Sequence, residues 1–375
     1  MNDKTDNKAI ADPNFHSNPN FHSNLNFHSK LFQSKLRKNT RLDGVIVFKI
    51  VTLSVALVAF GYYTPRFTND YSMMIMNVSL INFIAALGLS VMLGMGGQLS
   101  FAAVSFMGVG AYFVANLTNG RLGVIWEPVP ALAGAVMFAA FTAWICGSVL
   151  FRLSGTYFTF ATIGLVQVTW SVYLNYRVLC GGPDGVSGIP VIRFLGMSPR
   201  SYHDWFYILL GFVLVAGFLV ERVRKSRLGR SLASIRDNEI AAQTLGVNIY
   251  RTKIIAFTIA GALSGLSGGL YAMHSQFISS DLFTFDMATT YVIMTMLGGV
   301  NNTIGVFVGS ILVTMLPEWL RPVQRYLKLS YGVGVILLMI FMPMGLAGLG
   351  NAMLKKASRK LSKNSRVKPD ADVLE

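Results

Sequence analysis

The residues that could do chemistry are few, and most of them lie in one polar stretch, 227–246, between long apolar runs. Arg236, Asp237 and Glu239 bring three charges together there. The chain has no Gly-x-x-x-x-Gly-Lys-Ser/Thr phosphate loop, and no metal-ligand spacing, catalytic triad or nucleotide fingerprint stands out. The expected chemistry is therefore contact with a partner, and energy for any work against a gradient must come from another chain.

The pattern inside 227–246 predicts two short helices. Leu228, Leu232 and Ile235 fall on one helical face. The Asp237-Asn238 pair supplies capping chemistry for a break, and Gly246 stands where a helix commonly ends. Short amphipathic helices that neither span a membrane nor lie in a core need a partner, so we expect this segment to lie at a membrane surface and to bind another protein.

The composition excludes a soluble domain. The 375 residues are 53% hydrophobic and 13% charged, with a mean hydropathy of +0.51, whereas soluble domains carry about 25% charged residues. The net charge of +15 does not indicate nucleic-acid binding, because the basic residues lie in the tails and between apolar runs. Two cysteines, Cys146 and Cys180, cannot form a disulfide framework, and no metal site is expected.

Apolar segments must position the polar stretch. Each has a length close to the ~20 residues that a helix needs to cross a bilayer. We predict an all-α polytopic membrane protein with about ten transmembrane helices. The segments are 44–62, 71–93, 101–118, 128–150, 155–175, 205–222, 251–274, 286–299, 304–319 and 329–348.

The predicted organisation has three parts. Residues 1–42, which repeat Asn-Phe-His-Ser three times, are expected to be a disordered basic cytoplasmic tail, and residues 351–375 a second basic cytoplasmic tail. The transmembrane domain fills 43–350. It includes an outer loop at 176–204 and a cytoplasmic segment at 223–250.

Charge distribution sets the predicted orientation. With both termini in the cytoplasm, 23 of the 32 Lys and Arg residues fall in inside segments and 8 in outside segments. A different pairing of the last three segments stays open, because the loop near 320–330 is basic and the segment 286–299 is short.

The predicted spans hold almost no central ionisable group. Lys49 lies near a helix end and can extend its amine to the interface. A charge at mid-membrane costs about 2.5–3.5 kcal/mol on insertion scales, and proton-driven carriers keep such groups for their function. Their absence argues against a proton-driven carrier, although an ion-coupled carrier using backbone carbonyls stays open.

Small residues follow helical spacing in two places. Gly261, Gly265 and Gly269 share one helical face, and Gly305 and Gly309 repeat the spacing. Such glycines let helices approach closely, so helix packing is their expected use. A second interpretation is a mobile seam, a helix–helix contact that moves during transport.

Two loops allow two interpretations each. Gly94, Gly97, Gln98 and Ser100 interrupt an apolar region, either as a tight turn between spans or as a loop that lines a translocation path or gate. The outer stretch with Gly182, Asp184, Gly185 and Ser187 has turn chemistry, which predicts a structured loop, with docking or gating as the alternative.

Four stretches together resemble the permease subunit of branched-chain amino-acid ABC importers, of the LivM type. They are 93–100 with 108–112, the outer loop at 181–190, the polar stretch from 226 to 247, and Leu297-Gly298-Gly299 continued to Leu316-Pro317-Glu318. The resemblance covers about 44–350. Asn301-Asn302 departs from it, because a Gly-rich turn is usual there.

The resemblance implies a set of partners: a second related permease subunit, cytoplasmic ATPase subunits that hold ATP and Mg, and an extracytoplasmic solute-binding protein, around a chain in the inner (plasma) membrane with no cofactor of its own. Glu239, Ala241, Ala242 and Gly246 match the loop by which such permeases dock on their ATPases. We call residues 227–246 the coupling segment, with Arg236 expected to make polar contacts beside Glu239.

The functional hypothesis is a non-catalytic permease subunit of an ATP-driven importer, for branched-chain amino acids or else for urea, short amides or another small solute. A stand-alone secondary carrier or channel is the alternative from another class, and it predicts uptake without an ATPase subunit. A membrane-embedded enzyme has little support, because no His, Asp or Cys cluster lies within the predicted spans.

Overall fold

The computed structural model describes residues 69–121, 123, 125–153, 155–192, 199, 201–320 and Gly332. The predicted spans at 44–62 and 329–348 and the two tails lie outside these residues, apart from Gly332. All other predicted spans coincide with helices, and the predicted all-helical polytopic fold is confirmed. Within the described residues, five helices are long and apolar enough to cross a membrane.

Eight helices of at least 14 residues pack into a bundle in the described part of the chain. In chain order the elements are α1 (Asp70–Ser90, continued by a π-helical turn Val91–Met95), α2 (Ala103–Thr118), α3 (Pro128–Leu150), α4 (Thr156–Asn175), α5 (Arg177–Cys180), β1 (Val186–Ser187), α6 (Tyr202–Lys225), α7 (Arg227–Asp237), α8 (Glu239–Thr244), α9 (Ile249–Ser275), β2 (Phe277–Ile278), α10 (Phe285–Gly298) and α11 (Thr303–Trp319). Short 3₁₀ turns occupy Gly182–Asp184 and Ser280–Phe283.

Helices α1 and α9 form the centre of the bundle. Along α1, 89% of the most apolar stretch is buried, and α9 packs against α2, α3 and α1. The contacts are close because glycines face them: a Cβ at Gly261 or Gly265 would overlap Ala143 or Ala139 of α3, and a Cβ at Gly268 would overlap the Met107 carbonyl of α2.

The other predicted glycines also lie at helix contacts. A Cβ at Gly269 would come within 2.6 Å of Leu132 of α3. At the α10–α11 hairpin, a Cβ at Gly309 would lie 2.9 Å from the Gly298 backbone, and a Cβ at Gly298 would overlap the Gly305 carbonyl. Close packing therefore accounts for these positions without a mobile seam, whose existence stays a prediction.

A buried polar network joins four helices near the middle of the bundle. Asn82 of α1 donates to the Thr314 hydroxyl of α11 at 3.2 Å and accepts from the Tyr291 hydroxyl of α10 at 3.1 Å. The Tyr291 hydroxyl oxygen also lies 3.0 Å from the Met107 sulfur of α2. Because hydrocarbon offers these groups no alternative partners, their mutual bonds fix the relative rotation of the helices.

The predicted outer loop forms a structured cap at one end of the bundle. Val186 pairs with Ile278 and Ser187 with Phe277 in a two-residue antiparallel ladder, and Asn119 donates to the Ser187 carbonyl at 2.9 Å. Gly182 and Gly185 have φ of 65° and 71°, a conformation that favours glycine. A Cβ at Gly185 would also overlap the Ile278 carbonyl.

Two further residues of this cap differ in exposure. Asp184 is exposed, at the end of the 3₁₀ turn. Cys180 is buried beneath the loop, and burial raises the pKa of its thiol to about 11, although Arg121 acts in the opposite direction. The thiol is therefore protonated and unreactive at neutral pH.

Replacing Tyr291 with Phe tests the buried network. The variant leaves the Asn82 carbonyl oxygen without its donor, so we expect a loss of about 0.6 kcal/mol and at most about 1.7 kcal/mol of unfolding free energy. Denaturant unfolding in detergent micelles measures it. Tyr157→Phe is the control, because Tyr157 is 70% exposed. Equal stability of the two variants would contradict the role of the network.

Candidate functional site

The coupling segment folds as the two predicted short helices, α7 and α8. The Ser226 hydroxyl accepts from the Gly229 N–H at 3.4 Å and begins α7. Asn238 has an extended backbone that ends α7, and its side-chain oxygen accepts from the Ala241 N–H at 3.0 Å, which begins α8. Gly246 follows α8 with φ of 82°.

One side of the coupling segment packs against the bundle. Leu232 and Ile235 of α7 are buried, as the predicted apolar face requires, whereas Leu228 is half-buried. In α8 the two alanines separate: Ala242 is buried and Ala241 is exposed. The helices therefore lie on the end of the bundle opposite the outer-loop cap, beside residues 94–98.

Arg236 anchors α7 to the end of α1. Its guanidinium donates to the Gly94 carbonyl at 2.8 Å and to the Asp237 carboxylate at 3.2 Å. With its amide oriented to satisfy both neighbours, Asn301 accepts from Arg236 at 2.6 Å and donates to the Gly94 carbonyl at 2.6 Å. Arg236 thereby connects α7, the π-helical turn of α1 and the α10–α11 turn.

Glu239 anchors α8 to α9. Its carboxylate accepts from the Lys253 amine at 2.6 Å, and the Gln98 amide lies at the longer distance of 3.5 Å. The Lys253 side chain is 11% exposed and the Glu239 side chain 49% exposed, so solvent screens the pair only on the carboxylate side. Each helix of the segment therefore has its own polar attachment to the bundle.

The loop residues predicted to line a path or gate lie mainly against the coupling segment. Gly94 accepts from Arg236, Gln98 faces Glu239, and a Cβ at Gly97 would lie 2.6 Å from the Arg236 side chain. Ser100 is buried, and its hydroxyl accepts from the Ala102 N–H just before α2. The geometry is that of a turn between α1 and α2, and a role of these four residues in a path stays a prediction.

Sequence reasoning missed four residues of this site. Lys253 is the partner of Glu239, and Asn301 is the partner of Arg236. No local sequence pattern predicts either pairing, although Asn301 lies where this sequence departs from the Gly-rich turn that is usual in the family. Ile240 and Leu245 are 77% and 80% exposed. Their signal was available, because they are the large apolar residues in the polar second half of the segment.

The site carries no cluster typical of catalysis. Among the described residues, no three His, Cys, Asp or Glu side chains come together to hold a metal ion. What the site offers is a clamped pair of helices with exposed apolar side chains, at one end of a bundle of membrane-spanning length. These features define a multi-pass membrane protein with two short helices held at one end of its helical bundle.

Comparison with known proteins gives the family. The model of the family described as "Branched-chain amino acid transport system / permease component" matches residues 71–343, and the chain belongs to this family. It is the permease component of an ABC importer of the branched-chain amino acid type and is not itself catalytic. The family suggested by the sequence motifs is thereby confirmed.

Two similar proteins carry names that refer to different transported solutes. The chain is 30% identical over 330 residues to the high-affinity branched-chain amino acid transport system permease protein LivM of Escherichia coli, covering 82% of this chain and 76% of that protein. It is 27% identical over 286 residues to the autoinducer 2 import system permease protein LsrC of Klebsiella pneumoniae, covering 75% and 79%. No solved structure matches the chain.

A double-mutant cycle of Lys253→Met and Glu239→Gln tests the attachment of α8. We expect a coupling energy of about 1 kcal/mol, because one partner is largely shielded from solvent. Denaturant unfolding of the purified protein measures it. The matched control is the pair of Lys225 and Glu221, at 3.4 Å with side chains 77% and 39% exposed, where we expect coupling near zero. Equal coupling in the two pairs would contradict the assignment.

Proposed function

We propose that this permease moves branched-chain amino acids across the inner (plasma) membrane and is driven through its coupling segment by a cytoplasmic ATPase subunit, which holds ATP and Mg. The other partners are a second related permease subunit and an extracytoplasmic solute-binding protein. Both termini of the chain lie in the cytoplasm. The match to LivM supports the solute, and the excess of Lys and Arg in the segments we place inside supports the orientation.

The observation that carries the proposal is a pair of exposed apolar residues, one in α8 and one directly after it. Ile240 and Leu245 are 77% and 80% exposed on a segment whose two helices are attached to the bundle through Arg236 and Glu239. Ala241, also exposed, leaves room beside them, and Gly246 has no atom within 4 Å of a built Cβ. Exposed apolar side chains beside a charged residue, held outside the membrane-spanning helices, fit a groove on a protein partner.

The clamps indicate how the partner acts. A force on the segment reaches α1 and the α10–α11 turn through Arg236, and α9 through Glu239 and Lys253. ATPase closure displaces the segment, and the helices change between outward-open and inward-open packings. The partner biases a two-state packing equilibrium, and the energy comes from its differential contacts with the two states.

Charge placed at Ile240 or Leu245 tests ATPase docking. We expect Ile240→Glu and Leu245→Glu each to lower ATPase co-purification about tenfold, equivalent to about 1.4 kcal/mol, and to lower solute uptake with it. Ile240→Leu and Leu245→Met are the controls, because they keep the surface apolar. Co-purification and uptake unchanged in both Glu variants would contradict docking at these two residues.

The solute is tested separately. We expect the solute-binding protein of the same transporter to bind leucine, isoleucine or valine in calorimetry, and labelled leucine to enter vesicles that contain the full complex and ATP. The matched condition omits the ATPase subunit. Uptake that persists without the ATPase would support a stand-alone carrier, and a binding protein that prefers urea or a short amide would replace the proposed solute.

A further inference from the structure

Basic residues are concentrated where α6 ends and α7 begins. Residues 221–230 contain five Lys and Arg residues and a single acidic residue, Glu221. Helix α6 is long and apolar enough to cross a membrane, and it ends at Lys225. The basic residues therefore lie where this span meets the aqueous surface, at the end of the bundle that carries the coupling segment. We call Arg222, Lys225, Arg227 and Arg230 the basic corner.

The single carboxylate of this stretch is neutralised within the fold. Glu221 accepts from the Arg224 guanidinium at 2.7 Å and lies 3.4 Å from the Lys225 amine. Arg224 also donates to the Thr303 hydroxyl at 3.1 Å, and its side chain is only 22% exposed. Because Arg224 is turned inward onto Glu221, the positive charge of the basic corner stays uncompensated.

The basic corner gathers cations from two adjoining helices. Within the described part of the chain, Arg222, Arg227 and Arg230 form no ion pair with an acidic side chain. Arg230 of α7 donates to the Lys225 carbonyl at 3.0 Å, which places its guanidinium at the end of α6. Cations gathered in this way repel one another, and a bound anion removes that repulsion.

An exposed apolar face of α6 leads directly to the basic corner. Arg222 follows Phe218 by one turn on this face, and its guanidinium carbon lies 6.0 Å from the centre of the Phe218 ring. The face consists of side chains that are 45% to 62% exposed: Leu214, Val215, Phe218 and Leu219. An apolar surface that ends in cations complements a molecule with an acyl chain and a negatively charged headgroup.

We propose that the basic corner binds the phosphate headgroup of an anionic phospholipid, whose acyl chains lie along the apolar face of α6. Arg222, Lys225 and Arg230 donate to the phosphate oxygens, for which guanidinium groups have a matching geometry. A lipid fits better than a free phosphate ion, because only a lipid contacts both the cations and the apolar face.

The position of this lipid site gives it a mechanical consequence. Helix α7 begins at Arg227, so a lipid bound at the basic corner ties the start of the coupling segment to the membrane surface. The site consists of this chain alone. It goes beyond the proposed function and does not depend on the proposed ATPase or on the identity of the solute.

Lipid binding to the purified full-length chain tests the site. In native mass spectrometry with equal amounts of phosphatidylglycerol and phosphatidylcholine with identical acyl chains, we expect preferential retention of phosphatidylglycerol. Arg222→Gln, Lys225→Gln and Arg230→Gln should each weaken that retention about fivefold, whereas Lys225→Arg keeps the charge and should retain the lipid.

A single basic residue at the same end of the bundle supplies the control. Arg152 is exposed just after α3, and the end of α3 is joined to the start of α9 by the hydrogen bond from the Tyr250 hydroxyl to the Ser148 carbonyl at 2.6 Å. We expect Arg152→Gln to leave retention unchanged. Equal retention of the two lipids, or an equal loss in Arg152→Gln and the basic-corner variants, overturns the proposal.

Two further measurements separate a lipid from a free anion. Excess inorganic phosphate should not displace phosphatidylglycerol, because it gains no contact with the apolar face; displacement overturns the assignment to a lipid. Phe218→Ala should weaken retention, whereas Phe141→Ala, at a 55% exposed position in the middle of α3, should not. Equal retention in these two variants overturns the placement of the acyl chains. These measurements involve neither ATPase nor solute, so their failure would leave the proposed function standing.

Discussion

The fold depends on close contact between helix backbones at the centre of the bundle. Helix α9 approaches α2 and α3 where Gly261, Gly265 and Gly268 leave no room for a side chain. In a bilayer, association gains little from the hydrophobic effect, so packing contacts and buried hydrogen bonds must hold the helices together. The network around Asn82 and Tyr291 adds direction to this contact, because its bonds exist only at one relative rotation of the helices.

The coupling segment depends on that rigid centre. A docking element transmits displacement only if it is attached to helices that move as units, and α7 and α8 are attached at different places. Arg236 binds the end of α1 and the α10–α11 turn, and Glu239 binds α9. Because well-packed helices resist continuous deformation, displacement of the segment is expected to favour a different packing rather than a local bend.

Much of this could be predicted from the sequence. Apolar length located the spans, because the bilayer sets that length, and Asn238 marked the break between α7 and α8, because capping is a local property. Local patterns could not predict the pairing of Glu239 with Lys253, which are separated by a loop, or of Arg236 with Asn301, which lie on different helical hairpins. Residues 94–98 allowed two interpretations for the same reason. Their glycines predict that another segment approaches closely, but they do not show which segment it is.

Side chains are exposed in two different environments in this chain: water at the end of the bundle, and lipid within the membrane. Ile240 and Leu245 are apolar groups on the end of the bundle that carries the coupling segment, where water surrounds them unless a protein covers them. Gln167 is a polar group at membrane depth, where lipid surrounds it unless a protein covers it. Each residue is unsuited to the solvent at its own depth, because one is apolar in water and the other polar in lipid. A partner subunit is expected to cover Ile240 and Leu245, as the proposed function requires.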